Sequence, residues 1–243
     1  MSQDFPVVFA VYPGVTQLDF TGPYEVLSRL PGARCVVAST TGDAITLPHG
    51  LRFDGLARLA DVPACALLCV PGGHGCVQAM GDAEFLGELR RLAAGARYVS
   101  SVCTGSLLLG AAGLLQGRRA ACHWAWREGL RAFGAIPDEA RVVRDGNVFS
   151  GGGVTAGIDL ALSLMAEVAG EPYAQQVQLA LEYAPQPPFD CGRPERAPAQ
   201  VLQAVQAGMQ AQRAAREAAI AGAAQRLRSA LDRARVVAPP RLG

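Results

Sequence analysis

Apolar and polar positions along most of the chain switch between two periods. Short apolar or β-branched runs at 7–12, 34–39, 64–70 and 98–102 read as strands. The run 64–70 is unbroken up to Pro71-Gly72-Gly73, the pattern of a strand buried on both faces. Between these runs lie stretches with helical spacing. Residues 17–30 bring Leu18, Val26, Leu27 and Leu30 to one face, and Thr21-Gly22-Pro23 predicts a start or a kink inside that helix. Asp82 caps a predicted helix reaching Ala94, with Phe85, Leu86, Leu89 and Leu92 inward, and 104–112 is the next. Hairpins are expected at 41–54 and 141–150, a short strand at 119–122 and helices at 124–133 and 155–169. This alternation predicts an α/β fold: a doubly wound, mostly parallel sheet of the flavodoxin-like sandwich type, with helices on both faces.

The pattern changes after Tyr183. Residues 184–198 are Pro-rich and read as an extended surface segment, while the Ala/Gln/Arg-rich stretch 199–235 predicts one long helix. The expected organisation is an α/β domain over 1–184, followed by residues 185–243 as a helical extension packed on the domain or on a partner subunit.

Composition narrows the function classes. Half of the 243 residues are hydrophobic and 18% are charged, which excludes disorder as the main state. A formal charge of +1 gives no overall pull toward nucleic acid or an anionic membrane. The charge is uneven, however. Residues 1–196 carry 15 Arg against 19 acids, whereas 197–243 carry 7 Arg against 2 acids. Either a nucleic-acid-binding tail or a helix packed on the acidic body fits this. Spread-out arginines without aromatics favour packing, so no nucleic-acid partner is expected. All 22 basic residues are Arg, which rules out lysine Schiff-base chemistry. The seven cysteines are odd in number and form no CxxC pair, and the three histidines have no ligand-like spacing. A reducing compartment and no metal are expected. The N-terminal residues lack a basic segment and an apolar core, and the apolar run 107–115 is too short to cross a bilayer. A cytoplasmic protein with no membrane partner is the expectation.

The strongest candidate chemistry lies in Tyr98-Val-Ser-Ser-Val-Cys-Thr-Gly-Ser106. A strand runs into Cys103, small residues flank it and an apolar helix follows, as in a nucleophile elbow. At a helix N-terminus, free N–H groups and the dipole would favour the thiolate. Gly72 and Gly73, with the N–H of Thr104, could form an oxyanion pocket. Asp19 lies in an otherwise apolar helical stretch, either as an acid–base partner for Cys103 or as a helix-start carboxylate. His123 stands at the end of a predicted strand, either as a supporting partner of Cys103 or hydrogen-bonded in its own turn. The glycine run at 151–153 reads as a close-approach turn near the site; it lacks the spacing of a phosphate loop or a dinucleotide fingerprint.

These segments together resemble the ThiJ/PfpI superfamily, related in fold to class I glutamine amidotransferases. The resemblance extends through about Tyr183 and is greatest to the isocyanide hydratase branch. That branch shows Gln-Leu-Asp-aliphatic-Thr-Gly-Pro, here Gln17–Pro23, and Ser-Val-Cys-Thr-Gly-Ser, here Ser101–Ser106. Its Gly-Gly-Gly-aliphatic-Thr-Ala-Gly-Ile-Asp is matched at Gly151–Asp159, and a further run at Val177–Pro185, with Ala180 in place of a polar residue. Most superfamily members carry Glu where Asp19 stands; the hydratase branch carries Asp. The family's proteases place His directly after the Cys, where Thr104 stands here, and the amidotransferase Pro-x-His-x-Glu is absent. The resemblance implies a cofactor-independent hydration of an isocyanide to an N-substituted formamide through a Cys103 thioimidate. It further implies catalytic roles for Cys103 and Asp19, backbone binding groups at Gly72, Gly73, Thr104, Gly152 and Val154, and a homodimer. Alternatives within the superfamily are a methylglyoxal-type hydratase or deglycase, and a non-catalytic redox or ligand sensor. AraC-type regulators share the domain but carry two helix-turn-helix units after it, for which the stretch beyond Pro198 is too short.

Overall fold

In the computed structural model, which describes residues 4–237, the chain is organised around a seven-stranded sheet. Its strands are β1 (Phe5–Ala10), β2 (Ala33–Ser39), β3 (Ala57–Arg58), β4 (Leu67–Val70), β5 (Tyr98–Val102), β6 (Val142–Asp145) and β7 (Val148–Gly151). Their spatial order is β6-β7-β5-β4-β1-β2-β3. All neighbours are parallel except the edge hairpin β6/β7. The chain builds outward from β1 to β3, then returns to the other side of β1 with β4. The carboxyl ends of β1 and β4 therefore flank the point where winding reverses, the usual place for a ligand in an open α/β sheet.

Helix α1 (Gln17–Leu27) packs on α4 (Ala156–Ala169), which is followed by α5 (Glu171–Ala180). Helices α2 (Ala83–Gly95) and α3 (Gly105–Ala111) pack on each other and against β4. Phe85, Leu86, Leu89 and Leu92 are buried as the spacing predicts, and Asp82 caps α2 by accepting the Phe85 N–H at 3.0 Å. The expected excursion at 41–54 forms a small antiparallel pair, Ile45–Thr46 with Arg52–Phe53.

Three expectations are corrected. First, α1 neither starts at Thr21 nor breaks at Pro23. It runs continuously from Gln17, and the Thr21 hydroxyl donates back to the Gln17 carbonyl at 3.1 Å. Pro23 lies in the second turn, and the burial of Phe20, Val26 and Leu27 holds the helix through it. Second, 124–133 is not an α-helix. A tighter 3₁₀ stretch spans Arg127–Phe133 and ends at Gly134 in the left-handed conformation. Third, the predicted long helix is two: α6 (Ala199–Gln210) and α7 (Arg213–Val237). No breaker residue stands at 211–212. Packing imposes the break, since Ile220, Ala223, Ala224 and Leu227 of α7 join the main core, while α6 has no buried residue. Helix α5 and the edge strand β3 were not expected.

Two arginines of α7 contact the body. Arg216 lies over the Trp126 ring, and Arg226 donates to the Met80 carbonyl at 3.0 Å. Among the described residues no helix is long and apolar enough to cross a membrane.

Candidate active site

Cys103 follows β5 directly and precedes α3, with φ of +58°. A non-glycine residue there carries strain on the order of 1–3 kcal/mol. The strain persists because both sides of the turn are fixed. The Cys103 N–H donates to the Gly151 carbonyl at 3.0 Å. On the other side, Gly105 packs so closely on β4 that a Cβ there would overlap the Val70 carbonyl oxygen. The turn is thus the elbow that the spacing of small residues predicts.

Asp19 is wholly buried one turn into α1. Its Oδ2 accepts the Gly72 N–H at 3.0 Å, and its Oδ1 has no partner among the described residues. A Cβ added to Gly72 would stand 2.6 Å from Asp19 Oδ2, 2.6 Å from the Thr104 nitrogen and 2.8 Å from Cys103 Cβ. Gly72 is therefore the spacer over which carboxyl, thiol and the first helical N–H converge. Burial raises the Asp19 pKa from 3.8 to about 7, although the Cys103 thiol and the Gly72 N–H pull it down. The reading of Asp19 as a mere helix-start carboxylate does not account for this placement.

Burial opposes the thiolate expected at a helix N-terminus. Burial pushes the Cys103 thiol well above its ordinary range, the Asp19 charge and Cys122 push it further, and the Thr104 N–H offsets only part. Desolvation outweighs the helix N-terminus because Cys103 is almost sealed from water, at 6% exposure. Cys103 and Asp19 are therefore electrostatically coupled.

The backbone groups divide. The Gly72 N–H is used by Asp19. The Gly73 N–H donates to Thr104 Oγ1 at 2.8 Å, and that hydroxyl donates to the Gly73 carbonyl at 3.1 Å. The Gly152 N–H donates to the Arg141 carbonyl at 2.9 Å. These three expected binding groups instead hold the site together. Thr104 and Val154 line the pocket beside Cys103, and their N–H groups remain the candidates for contact with sulfur and substrate.

That pocket holds about 110 Å³ and is also lined by His74, His123, Trp126 and Met209. His123 faces the cavity, but among the described residues no hydrogen bond joins it to Cys103. Its Nδ1 accepts the Ala125 N–H at 3.3 Å within its own turn. Burial, then His74 and Arg216, lower its pKa, so the ring is neutral. A serine clamp positions the segment carrying it. The Ser106 hydroxyl donates to the Ala121 carbonyl at 2.6 Å and stands 2.8 Å from Ser101 Oγ, while Ser150 Oγ accepts the Ala121 N–H at 2.8 Å.

Sequence reasoning missed His74, Trp126 and Met209 as pocket residues. His74 directly follows Pro71-Gly72-Gly73 and Trp126 lies three residues after His123, so both had a positional signal. Met209 had none. Among the described residues no group of His, Cys, Asp or Glu is arranged to hold a metal ion.

The sequence model of the DJ-1/PfpI family matches residues 6–167. The chain is 52% identical over 194 residues to the isonitrile hydratase of Pseudomonas putida, covering 80% of this chain and 85% of that protein. It is 32% identical over 187 residues to the HTH-type transcriptional regulator CdhR of Pseudomonas aeruginosa, covering 73% of this chain but 54% of the regulator. Among solved structures, a ThiJ/PfpI family protein from Pseudomonas syringae superposes with a TM-score of 0.87 at 41% identity, over 90% of this chain and 91% of that one.

Proposed function

The chain belongs to the DJ-1/PfpI family, and we propose that it is an isocyanide hydratase converting R–N≡C and water to R–NH–CHO. One observation carries the reading: a buried carboxyl with a free oxygen, poised near neutral pH, held against a buried thiol. The terminal carbon of an isocyanide must accept a nucleophile and a proton, and this pair supplies both. Asp19 takes the thiol proton as Cys103 sulfur bonds to the carbon, and delivers that proton to the same carbon, giving the thioimidate R–N=CH–S–Cys103. Asp19, again ionised, removes a proton from water as the oxygen adds to that carbon, and passes that proton to nitrogen. The tetrahedral R–NH–CH(OH)–S–Cys103 collapses to the formamide, expelling sulfur, which regains its proton. The Thr104 and Val154 N–H groups would steady the sulfur while it carries charge. His123, neutral, shapes the cavity rather than exchanging protons.

The 52% identity to the Pseudomonas putida hydratase supports this reading over the methylglyoxal-type and sensor alternatives. A regulator has less support, since the match spans about half of CdhR. A cytoplasmic homodimer completes the proposal, on the family resemblance. The test is formamide formation from an aryl isocyanide by wild type and Cys103→Ala, with methylglyoxal in parallel. Formamide from wild type alone is expected. Equal turnover by Cys103→Ala would remove the mechanism, and methylglyoxal turnover without formamide would reassign the substrate.

A further inference from the structure

The Cys103 pocket, at about 110 Å³, is small for an isocyanide with a large N-substituent, and four cavities share lining residues with it: one of about 1080 Å³ at His74, with Asp43, Asp82 and Glu84 in its wall, one of about 380 Å³ at Trp126, with Glu128 and Glu217 in its wall, and two others. One, of about 270 Å³, adjoins it at His123 and Val154 and is lined by charged groups. Arg127 there is paired with Glu139 and Arg141 with Asp159, so an apolar group entering it would desolvate ion pairs. The other, of about 310 Å³, adjoins it at Met209. Its walls are Trp124, Ala125, Gln206, Arg213 and Arg216, with no acidic side chain. Arg213 is already paired with Glu217, and Arg216 is already stacked over Trp126.

Met209 lines both spaces. It is half-buried on α6, whose other residues are nearly all exposed. It also lies beyond residues 6–167, so the family's common domain does not dictate it. Methionine is unbranched and adapts its shape, which suits a movable wall. The indole of Trp124 and the guanidinium planes behind it favour a flat aromatic occupant over a branched alkyl one.

We infer that Met209 is a specificity-determining residue, setting how large an N-substituent can reach Cys103, and that the cavity behind it takes the outer part of an aryl substituent. The substrate class is thus an aryl isocyanide, and this assignment rests on the hydratase reading. The experiment compares wild type, Met209→Ala and Met209→Phe on methyl isocyanide and 2-naphthyl isocyanide. Met209→Ala is expected to raise the naphthyl-to-methyl ratio of kcat/KM about 10-fold and Met209→Phe to lower it comparably, the scale of a hydrophobic wall moved by one or two methylenes. A ratio unchanged in both variants overturns the inference. A second readout needs no turnover: alkylation of Cys103 by N-phenylmaleimide relative to iodoacetamide, followed by peptide mass mapping. The same two shifts are expected there. If none of the three proteins hydrates either isocyanide, the hydratase reading fails. The labelling then decides the wall by itself, with equal ratios in all three proteins refuting it.

Discussion

Replacing Asp19 by Asn separates what this carboxyl does for catalysis from what it costs the fold. Its pKa rises from 3.8 to about 7 on burial, so the folded protein holds the proton to higher pH than the unfolded chain does. Stability therefore falls as pH climbs from about 4 to about 7, and is level above that. At about 1.4 kcal/mol per pH unit, the full cost at pH 8 is about 4 kcal/mol, and at pH 5 it is about 2 kcal/mol. Asparagine carries no charge and can keep an oxygen on the Gly72 N–H. Its NH₂ then occupies the place of Oδ1, which has no partner, and an unsatisfied buried donor costs roughly 2 kcal/mol. The net expectation is a variant about equal to wild type at pH 5 and about 2 kcal/mol more stable at pH 8, yet inactive. Urea denaturation at the two pH values measures both differences, with formamide assays on the same preparations. A stability difference that does not grow between pH 5 and pH 8 would refute the assignment of a raised Asp19 pKa. Activity retained in the variant would refute its role in proton transfer.

Two further outcomes follow from the same geometry. Because the carboxylate form of Asp19 must take the thiol proton, kcat/KM for hydration should rise with pH through about 7 in wild type; a flat profile from pH 5 to 8 would place the controlling ionisation elsewhere. Gly105→Ala should cost at least about 3 kcal/mol, because its Cβ overlaps the backbone oxygen of Val70 and neither strand nor helix can yield; thermal denaturation measures it, and a change under about 1 kcal/mol would show that α3 does not need the close approach.

The elbow was legible because its requirements are local. A β-branched run, a cysteine and then Thr-Gly-Ser state where the strand stops, which residue must take the positive φ and where the helix can approach. Asp19 was legible only as a question. A carboxyl in an apolar helix must have a reason, but the reason is the loop at Gly72 and the thiol at Cys103, which are distant in sequence. The rise in the thiol's pKa was not legible, because a helix N-terminus is visible in sequence and the degree of burial is not. Gly72, Gly73 and Gly152 were correctly placed near the turn regions, but which N–H groups were already spent depended on the Asp19, Thr104 and Arg141 acceptors.

The sequence by itself determined the alternation of strands and helices, the mostly parallel winding and the place of the elbow at Cys103, since each rests on periodicity or on steric rules acting over a few residues. The tertiary structure alone decided the break between α6 and α7, the position of Met209 beside Cys103 and the burial of the thiol. Each of these depends on which surfaces exclude water together, and that depends on contacts between segments far apart in the chain.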